Sequence, residues 1–184
     1  FKKHSATIKL NHMKTILILT FPILISSFST SAQRISLTEA IQKSNCKDYS
    51  CFNDFVTQKG FCFDKSYTEN EYGDSYRFSS CDFVKDGPKG IDTKNQTSIM
   101  FVKAGAVNVD IGTSSLGYYK LLLGELARLG FKAFETRNSD ENSVAVRYKS
   151  SRYPGIFILF STYKASKEGV GNWTFWNFGV QRMK

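Results

Sequence analysis

Apolar residues recur at intervals of three and four in three parts of the chain, which predicts three amphipathic helices. The first spans residues 36–44 and is opened by the capping box Ser-Leu-Thr-Glu. The second spans 48–59, and the third is capped by Ser114 or Ser115 and ends at Gly130. The predicted core face of the third helix consists of Leu116, Tyr119, Leu122, Leu123 and Leu126.

Alternating apolar and polar residues between glycines and polar turns predict eight strands. Four lie between the second and third helices, and four follow the third helix. Their predicted bounds are 61–66, 75–83, 97–103, 105–112, 131–137, 143–150, 155–164 and 172–182. A turn at 69–73 joins the first two, and a polar loop covers 86–96. This order predicts an α+β fold, an antiparallel sheet of about eight strands with helices packed on one face.

An internal repeat emerges when the chain is displaced by 70 positions against itself. Eight identities fall within the 46 positions from 40 to 85, including Gly60 on Gly130 and Arg77 on Arg147. The order of elements matches as well, which predicts tandem repeats at about 36–103 and 105–184. This outline of helix-plus-four-strand units resembles the β-lactamase inhibitory protein among secreted bacterial inhibitors. The resemblance is one of architecture and implies no site residue.

The N-terminal part of the chain has the pattern of a secretory signal peptide. Lys14 precedes an apolar run of roughly a dozen residues, and small residues lead up to Ala32. We expect residues 13–32 to be the signal peptide and 1–12 an upstream extension that does not belong to the fold. An uncleaved membrane anchor is the alternative, although the apolar run is short for crossing a bilayer. The rest, 33–184, is expected to form one secreted or periplasmic domain with no membrane span.

Charge and histidine content limit the function classes. The chain has a net charge of +9, and residues 33–184 keep 21 basic and 16 acidic residues, a net charge of +5. No dense basic cluster points to nucleic acid. Both histidines, His4 and His12, precede the expected cleavage point. The remainder therefore cannot form a Ser-His-Asp or Cys-His catalytic pair or a histidine-containing zinc site.

Four cysteines in a secreted chain indicate disulfides. We expect Cys46 to pair with Cys51 across a turn between two helices, and Cys62 with Cys81. The second pair follows from a hairpin register that places these two residues opposite each other. A four-thiolate zinc site is the alternative, but the chain lacks the two C-x2-C knuckles typical of such sites. No metal or cofactor is expected.

Large aromatic residues occupy both faces of the last strand. In a strand, Trp173 and Phe175 point one way while Trp176 and Phe178 point the other. One interpretation is a core strand buried on both sides, with the 86–96 loop as a cover. The other is an exposed apolar patch, which is typical of binding sites. Under this hypothesis the binding residues are Trp173, Phe175 and Trp176.

Candidate carboxylates are expected to be solvated acids near turns and strand ends, because no spacing singles out a pair. They are Asp64, Asp74, Asp82, Asp110 and Glu135. The function expected from the sequence is therefore a non-catalytic binding domain whose partner is a protein, and an inhibitor or immunity-type role fits. A carboxylate-based hydrolase acting on glycans and a self-associating structural component of a surface are the alternatives. The oligomeric state stays open.

Overall fold

The structure is a computed structural model. It describes residues 33–68, 74–81, 84, 97–104, 106–140, 143–167 and 171–183. The expected extension at 1–12, the expected signal peptide at 13–32, the predicted turn at 69–73 and the predicted loop at 86–96 lie outside the described residues, as does Asp82. No helix within the described residues is long and apolar enough to cross a membrane.

The described residues form the three helices and eight strands that the pattern predicts. The helices are α1 (Leu37–Lys43), α2 (Tyr49–Gln58) and α3 (Leu116–Arg128). The strands are β1 (Phe61–Tyr67), β2 (Asp74–Ser80), β3 (Thr97–Ala104), β4 (Ala106–Thr113), β5 (Lys132–Asp140), β6 (Ser143–Lys149), β7 (Ile156–Lys167) and β8 (Gly171–Arg182). The predicted bounds differ from these by at most three residues.

All eight strands belong to one sheet, with the spatial order β1-β2-β3-β4-β8-β7-β6-β5. Every neighbouring pair is antiparallel. The sheet therefore consists of two four-stranded meanders that are joined where β4 pairs with β8. This confirms an α+β fold with an eight-stranded antiparallel sheet.

Local side-chain chemistry explains where the helices begin and end. Ser36 accepts a hydrogen bond from the backbone N–H of Glu39, whose carboxylate accepts one from the N–H of Ser36, which confirms the capping box. Asp48 is the N-cap residue of α2, and Ser115 is the N-cap residue of α3. Just beyond these two helices, Gly60 and Gly130 have φ values of +82° and +75°. This left-handed conformation favours glycine and ends a helix.

One face of the sheet, called the core face, carries the fully buried apolar side chains. They are Phe78, Ile99, Phe101, Val109, Ile111, Ile158, Phe178 and Val180. From α2, the ring of Phe52 stacks on Phe101 with 4.7 Å between centroids. From α3, Leu122 and Leu126 are buried as predicted. Burial of this apolar area is the main favourable term for the fold.

The predicted core face of α3 is partly wrong. Leu116 is 52% exposed and Leu123 is 37% exposed, whereas Tyr118 is only 4% exposed. The Tyr118 hydroxyl donates to the backbone oxygen of Ile35 at 2.6 Å and accepts from its backbone nitrogen at 2.9 Å. These two bonds compensate for burying a phenol. Periodicity cannot detect them because the two residues are 83 positions apart.

Both predicted disulfides are present, Cys46–Cys51 and Cys62–Cys81. The register from which the second was inferred is wrong, because Cys62 lies opposite Ser79. A β-bulge between Phe63 and Lys65 shifts the pairing of β1 with β2. Cys81 therefore lies just beyond β2 and joins Cys62 diagonally, with 4.8 Å between their Cα atoms.

The Tyr118–Ile35 hydrogen bonds generate the first testable prediction. Tyr118→Phe should lower the free energy of unfolding by about 1–3 kcal/mol, since it leaves a buried backbone N–H and C=O unpaired. Urea denaturation measures this. Tyr119→Phe, in the same helix, is the matched control, because its hydroxyl makes no hydrogen bond with the residues that the structure describes. Equal stability of the two variants would contradict the prediction.

The glycines that follow the helices generate the second prediction. Gly130→Ala should destabilise the protein by about 1–2 kcal/mol, because alanine is strained at positive φ. Gly124, inside α3, has open space around its Cα, and there alanine should stabilise by about 0.5–1 kcal/mol. Thermal melting of the two variants should shift in opposite directions. Shifts of the same sign would show that backbone conformation is not the cause.

Candidate functional site

The sheet face opposite the core face, called here the second face, carries polar, charged and half-buried aromatic side chains. Strand alternation places these residues between the buried ones. Directly paired residues form a row that crosses all eight strands at the level of the β4–β8 pair. In spatial order the row is Lys65, Arg77, Met100, Asp110, Gly179, Leu159, Arg147 and Glu135.

A concavity of about 520 Å³, called the aromatic pocket, includes Arg77 and Met100 of this row. It is lined by Tyr67, Ser75, Arg77, Ser98, Met100, Ser161, Tyr163, Trp173, Phe175 and Asn177. Tyr163 is 43% exposed, and its ring lies 5.3 Å from that of Phe175. The Phe175 ring covers Gly112, where an added Cβ would lie 2.5 Å from Phe175 Cε1. Glycine at 112 is therefore required for this ring position.

The structure separates the three residues that the sequence suggested for binding. Trp173 and Phe175 line the aromatic pocket together. Trp176 lies on the core face, where its ring stacks on Tyr119 of α3 with 4.6 Å between centroids and an interplanar angle of 15°. Strand alternation places the first two on the second face and gives Trp176 a packing role.

Two arginines on the second face are held by carboxylates of the edge strands. Arg77 donates to Asp64 Oδ2 through Nε and Nη2, both at 2.5 Å. Near the other end of the row, Arg147 Nη1 lies 3.1 Å from Glu135 Oε2, and Arg137 donates to Oε1 of the same carboxylate. Hydrogen bonds from Arg147 and Arg137 lower the pKa of Glu135 below its usual value. Asp64 and Glu135 are therefore the ion-pair partners of these arginines.

A second concavity, of about 400 Å³, surrounds this arginine cluster and is called the basic pocket. It is lined by Glu135, Arg137, Ala145, Arg147, Leu159 and Gln181. At its edge the Arg147 guanidinium lies 5.6 Å from the ring centroid of Phe157 and 5.9 Å from that of Phe134. Phe134 is 41% exposed. Exposed aromatic rings beside arginine are typical of protein-binding surfaces.

Asp110 lies in the middle of β4. In the row it stands between Met100, which lines the aromatic pocket, and Leu159, which lines the basic pocket. The expectation that it is a solvated acid near a turn is wrong, because it is partly buried and lies opposite Gly179 on β8. Burial raises the pKa of its carboxyl from 3.8 to about 6. Within the part of the chain that the structure describes, its carboxylate makes no hydrogen bond or ion pair.

The spacing of these carboxylates does not favour acid–base catalysis on glycans. Asp110 is three strands from Asp64 and four from Glu135, which corresponds to roughly 14 and 19 Å at the usual strand spacing. Glycosidases hold their two carboxyl groups within about 5–9.5 Å of each other. Among the described acids of the second face, none therefore forms a pair with Asp110 at a catalytic distance.

Sequence reasoning found the aromatic residues of the last strand but missed Arg77, Tyr163 and Asp110 as neighbours of the same surface. Arg77 and Arg147 coincide when the sequence is compared with itself shifted by 70 positions. Their common face follows only from the strand order. A glycine within a strand pattern, such as Gly179, was a further signal, because it often marks a close approach of another group.

No family model matches the chain, and the searches of curated proteins and of solved structures found no similar protein either. Inference about function therefore rests on the geometry of the second face.

The unpaired Asp110 generates the third prediction. Its folded pKa, about 6, lies above the unfolded value of 3.8. The stability linked to its protonation is complete below 3.8 and is lost as the pH rises through about 6. Asp110→Asn should therefore stabilise the protein by about 1–3 kcal/mol at pH 7.5 and have little effect at pH 4.

Chemical denaturation at the two pH values measures this difference. Asp54→Asn is the matched control, because Asp54 is exposed on α2. A gain of equal size at pH 4 and pH 7.5 would show that ionisation of Asp110 does not oppose folding.

Proposed function

We propose that the chain is a secreted or periplasmic, non-catalytic binding domain and that its second face engages a protein. The aromatic pocket carries this proposal. It brings Trp173, Phe175 and Tyr163 together beside Arg77, and none of these aromatic residues belongs to the buried core. Tryptophan, tyrosine and arginine are the residue types that contribute most to binding energy at protein interfaces.

The dimensions of the second face support a protein as the partner. Eight strands extend over roughly 34 Å, and a seven-residue strand is roughly 23 Å long. The resulting area of roughly 800 Å² is the contribution of one partner to a standard protein interface. Small-molecule sites instead enclose most of the ligand surface, whereas the two pockets are open concavities on an extended face.

The two disulfides support a location outside the cytoplasm, since disulfides persist in oxidising compartments. The signal-peptide pattern at 13–32 supports export, to the medium or to a periplasm. An inhibitor or immunity-type role agrees with the chain length and with the histidine-free composition of 33–184. Such proteins act by occupying a partner surface and need no catalytic group.

We also propose that the chain arose by duplication of a helix-plus-four-strand unit whose helices cover one face of the sheet. In support, the β-bulge between Phe63 and Lys65 has an equivalent between Ala133 and Glu135, 70 positions later. Helices α2 and α3 contact core-face rings through Phe52 and Tyr119 respectively. An experimental structure in which the two bulges do not superpose would contradict the duplication.

Alanine substitutions at the two tryptophans form the fourth prediction. Trp173→Ala should reduce binding of the partner by about 2 kcal/mol or more and leave the melting temperature almost unchanged. Trp176→Ala should instead lower stability by about 3–5 kcal/mol, because its ring packs on Tyr119. Phe63→Ala is the control for partner binding. Phe63 is also an aromatic residue and is 43% exposed, but it lies on the core-face side of β1, so its loss should leave binding unchanged.

Affinity capture from the medium or periplasm of producing cells, with quantification of bound proteins, compares the variants. A partner retained equally by wild type and Trp173→Ala would place the binding site elsewhere. Unfolding of Trp173→Ala would show that this residue is part of the core.

A further inference from the structure

We propose that Asp110 is the charged centre of the binding face and receives a lysine or arginine side chain from the protein partner. The inference depends on the proposed function, because it assumes that the second face binds a protein. It adds the chemistry of the partner: one cationic side chain that projects from the partner surface onto the β4–β8 seam.

The position of Asp110 is the first argument. It lies on the seam between the two meanders, with Met100 opposite on β3 and Gly179 opposite on β8. Met100 lines the aromatic pocket, and Leu159, which pairs with Gly179, lines the basic pocket. A partner that contacts both Met100 and Leu159 along this row therefore passes over Asp110.

The shape of the backbone at β8 is the second argument. A Cβ added at Gly179 would overlap Oδ1 of Asp110. The carboxylate thus extends across the neighbouring strand into space that only glycine leaves open. The methylene groups of a lysine or arginine can pack against the apolar side chains on either side, Met100 and Leu159, while the cationic end reaches Asp110.

Charge matching is the third argument. In the central row, Arg77 is paired with Asp64 and Arg147 with Glu135. Asp110 is the acid of this row that has no partner among the described residues. An unpaired, partly buried carboxylate destabilises the free protein, and a cation delivered by the partner offsets that penalty on binding. A charge that destabilises the free protein is expected at a position that contributes to binding.

Asp110 is the titratable group of the second face at the seam, among the residues that the structure describes on β3, β4 and β8. On β3 and β8, which flank it, the described second-face side chains carry no titratable group. The nearest charged groups further out are Arg77 and Arg147, both in ion pairs. Binding of a cation should therefore lower the pKa of Asp110, and the affinity should decrease on acidification from pH 8 to pH 5.

The fifth prediction uses disulfide-closed peptides displayed on phage as the probe, selected against the full folded chain. Peptides whose binding is weakened by Trp173→Ala are second-face ligands. We expect these ligands to share a lysine or arginine at one position. Replacing that residue by norleucine should reduce affinity by about 30-fold, and Asp110→Asn should reduce it by a similar factor. The two changes together should reduce it little further.

Three further measurements sharpen the test. Asp54→Asn should bind the same peptides as wild type does. Gly179→Ala should weaken binding without removing any charge, because it displaces the carboxylate. A 13C NMR titration of the Asp110 carboxyl should show a lower midpoint with the lysine or arginine peptide than with its norleucine form. Melting curves establish that each variant is folded.

The possible failures are distinguishable. Ligands that depend on Trp173 but bind Asp110→Asn as tightly as wild type would overturn the role of Asp110 and leave the binding face in place. If no selected ligand depends on Trp173, both the binding face and the role of Asp110 are overturned. The norleucine peptide and Asp110→Asn could also each lower the affinity by the same factor, with the two losses adding when the changes are combined. That result would overturn the proposed contact as well.

Discussion

The antiparallel pairing of β4 with β8 is the constraint on which the rest of the structure depends. It places Val109 opposite Val180 and Ile111 opposite Phe178, and so joins two separate meanders into one sheet. All four side chains are buried on the core face. Without this seam, each meander would expose a strand edge, and the buried apolar faces would not be continuous. The same pairing places Asp110 in one row with Met100 of the aromatic pocket and Leu159 of the basic pocket.

The two faces of the sheet follow different physical rules. On the core face, apolar burial dominates, and the one buried phenol of α3, Tyr118, forms two hydrogen bonds with Ile35. On the second face, cations are held by carboxylates at both ends of the row, and large rings are only half covered. Asp110 is the exception on this face, since it is desolvated without a partner among the described residues. A residue that lowers the stability of the fold, as a desolvated carboxylate does, is expected mainly at functional positions.

The helical layer is tied to the segment that precedes it by polar contacts rather than by apolar packing alone. The backbone nitrogen of Leu37 donates to Glu125 Oε2 at 2.6 Å, next to the Tyr118–Ile35 bonds. Cys46–Cys51 then connects the segment between α1 and α2 to the first turn of α2. These links hold α1 against α3 and limit the position of α2 relative to α1.

The sequence by itself determined the elements, because hydrophobic period, capping residues and glycines are local signals. Cysteine number indicated two disulfides and spacing favoured Cys46–Cys51, whereas Cys62–Cys81 was predicted correctly from a register that is wrong. The sequence did not determine the register of β1 with β2, because a bulge between Phe63 and Lys65 leaves no periodic trace. Only the tertiary structure decided that Trp173 and Phe175 lie beside Arg77 and Tyr163 while Trp176 packs on Tyr119. Strand order joins residues 60 to 100 positions apart, and the energy of that pairing depends on contacts that no local pattern encodes.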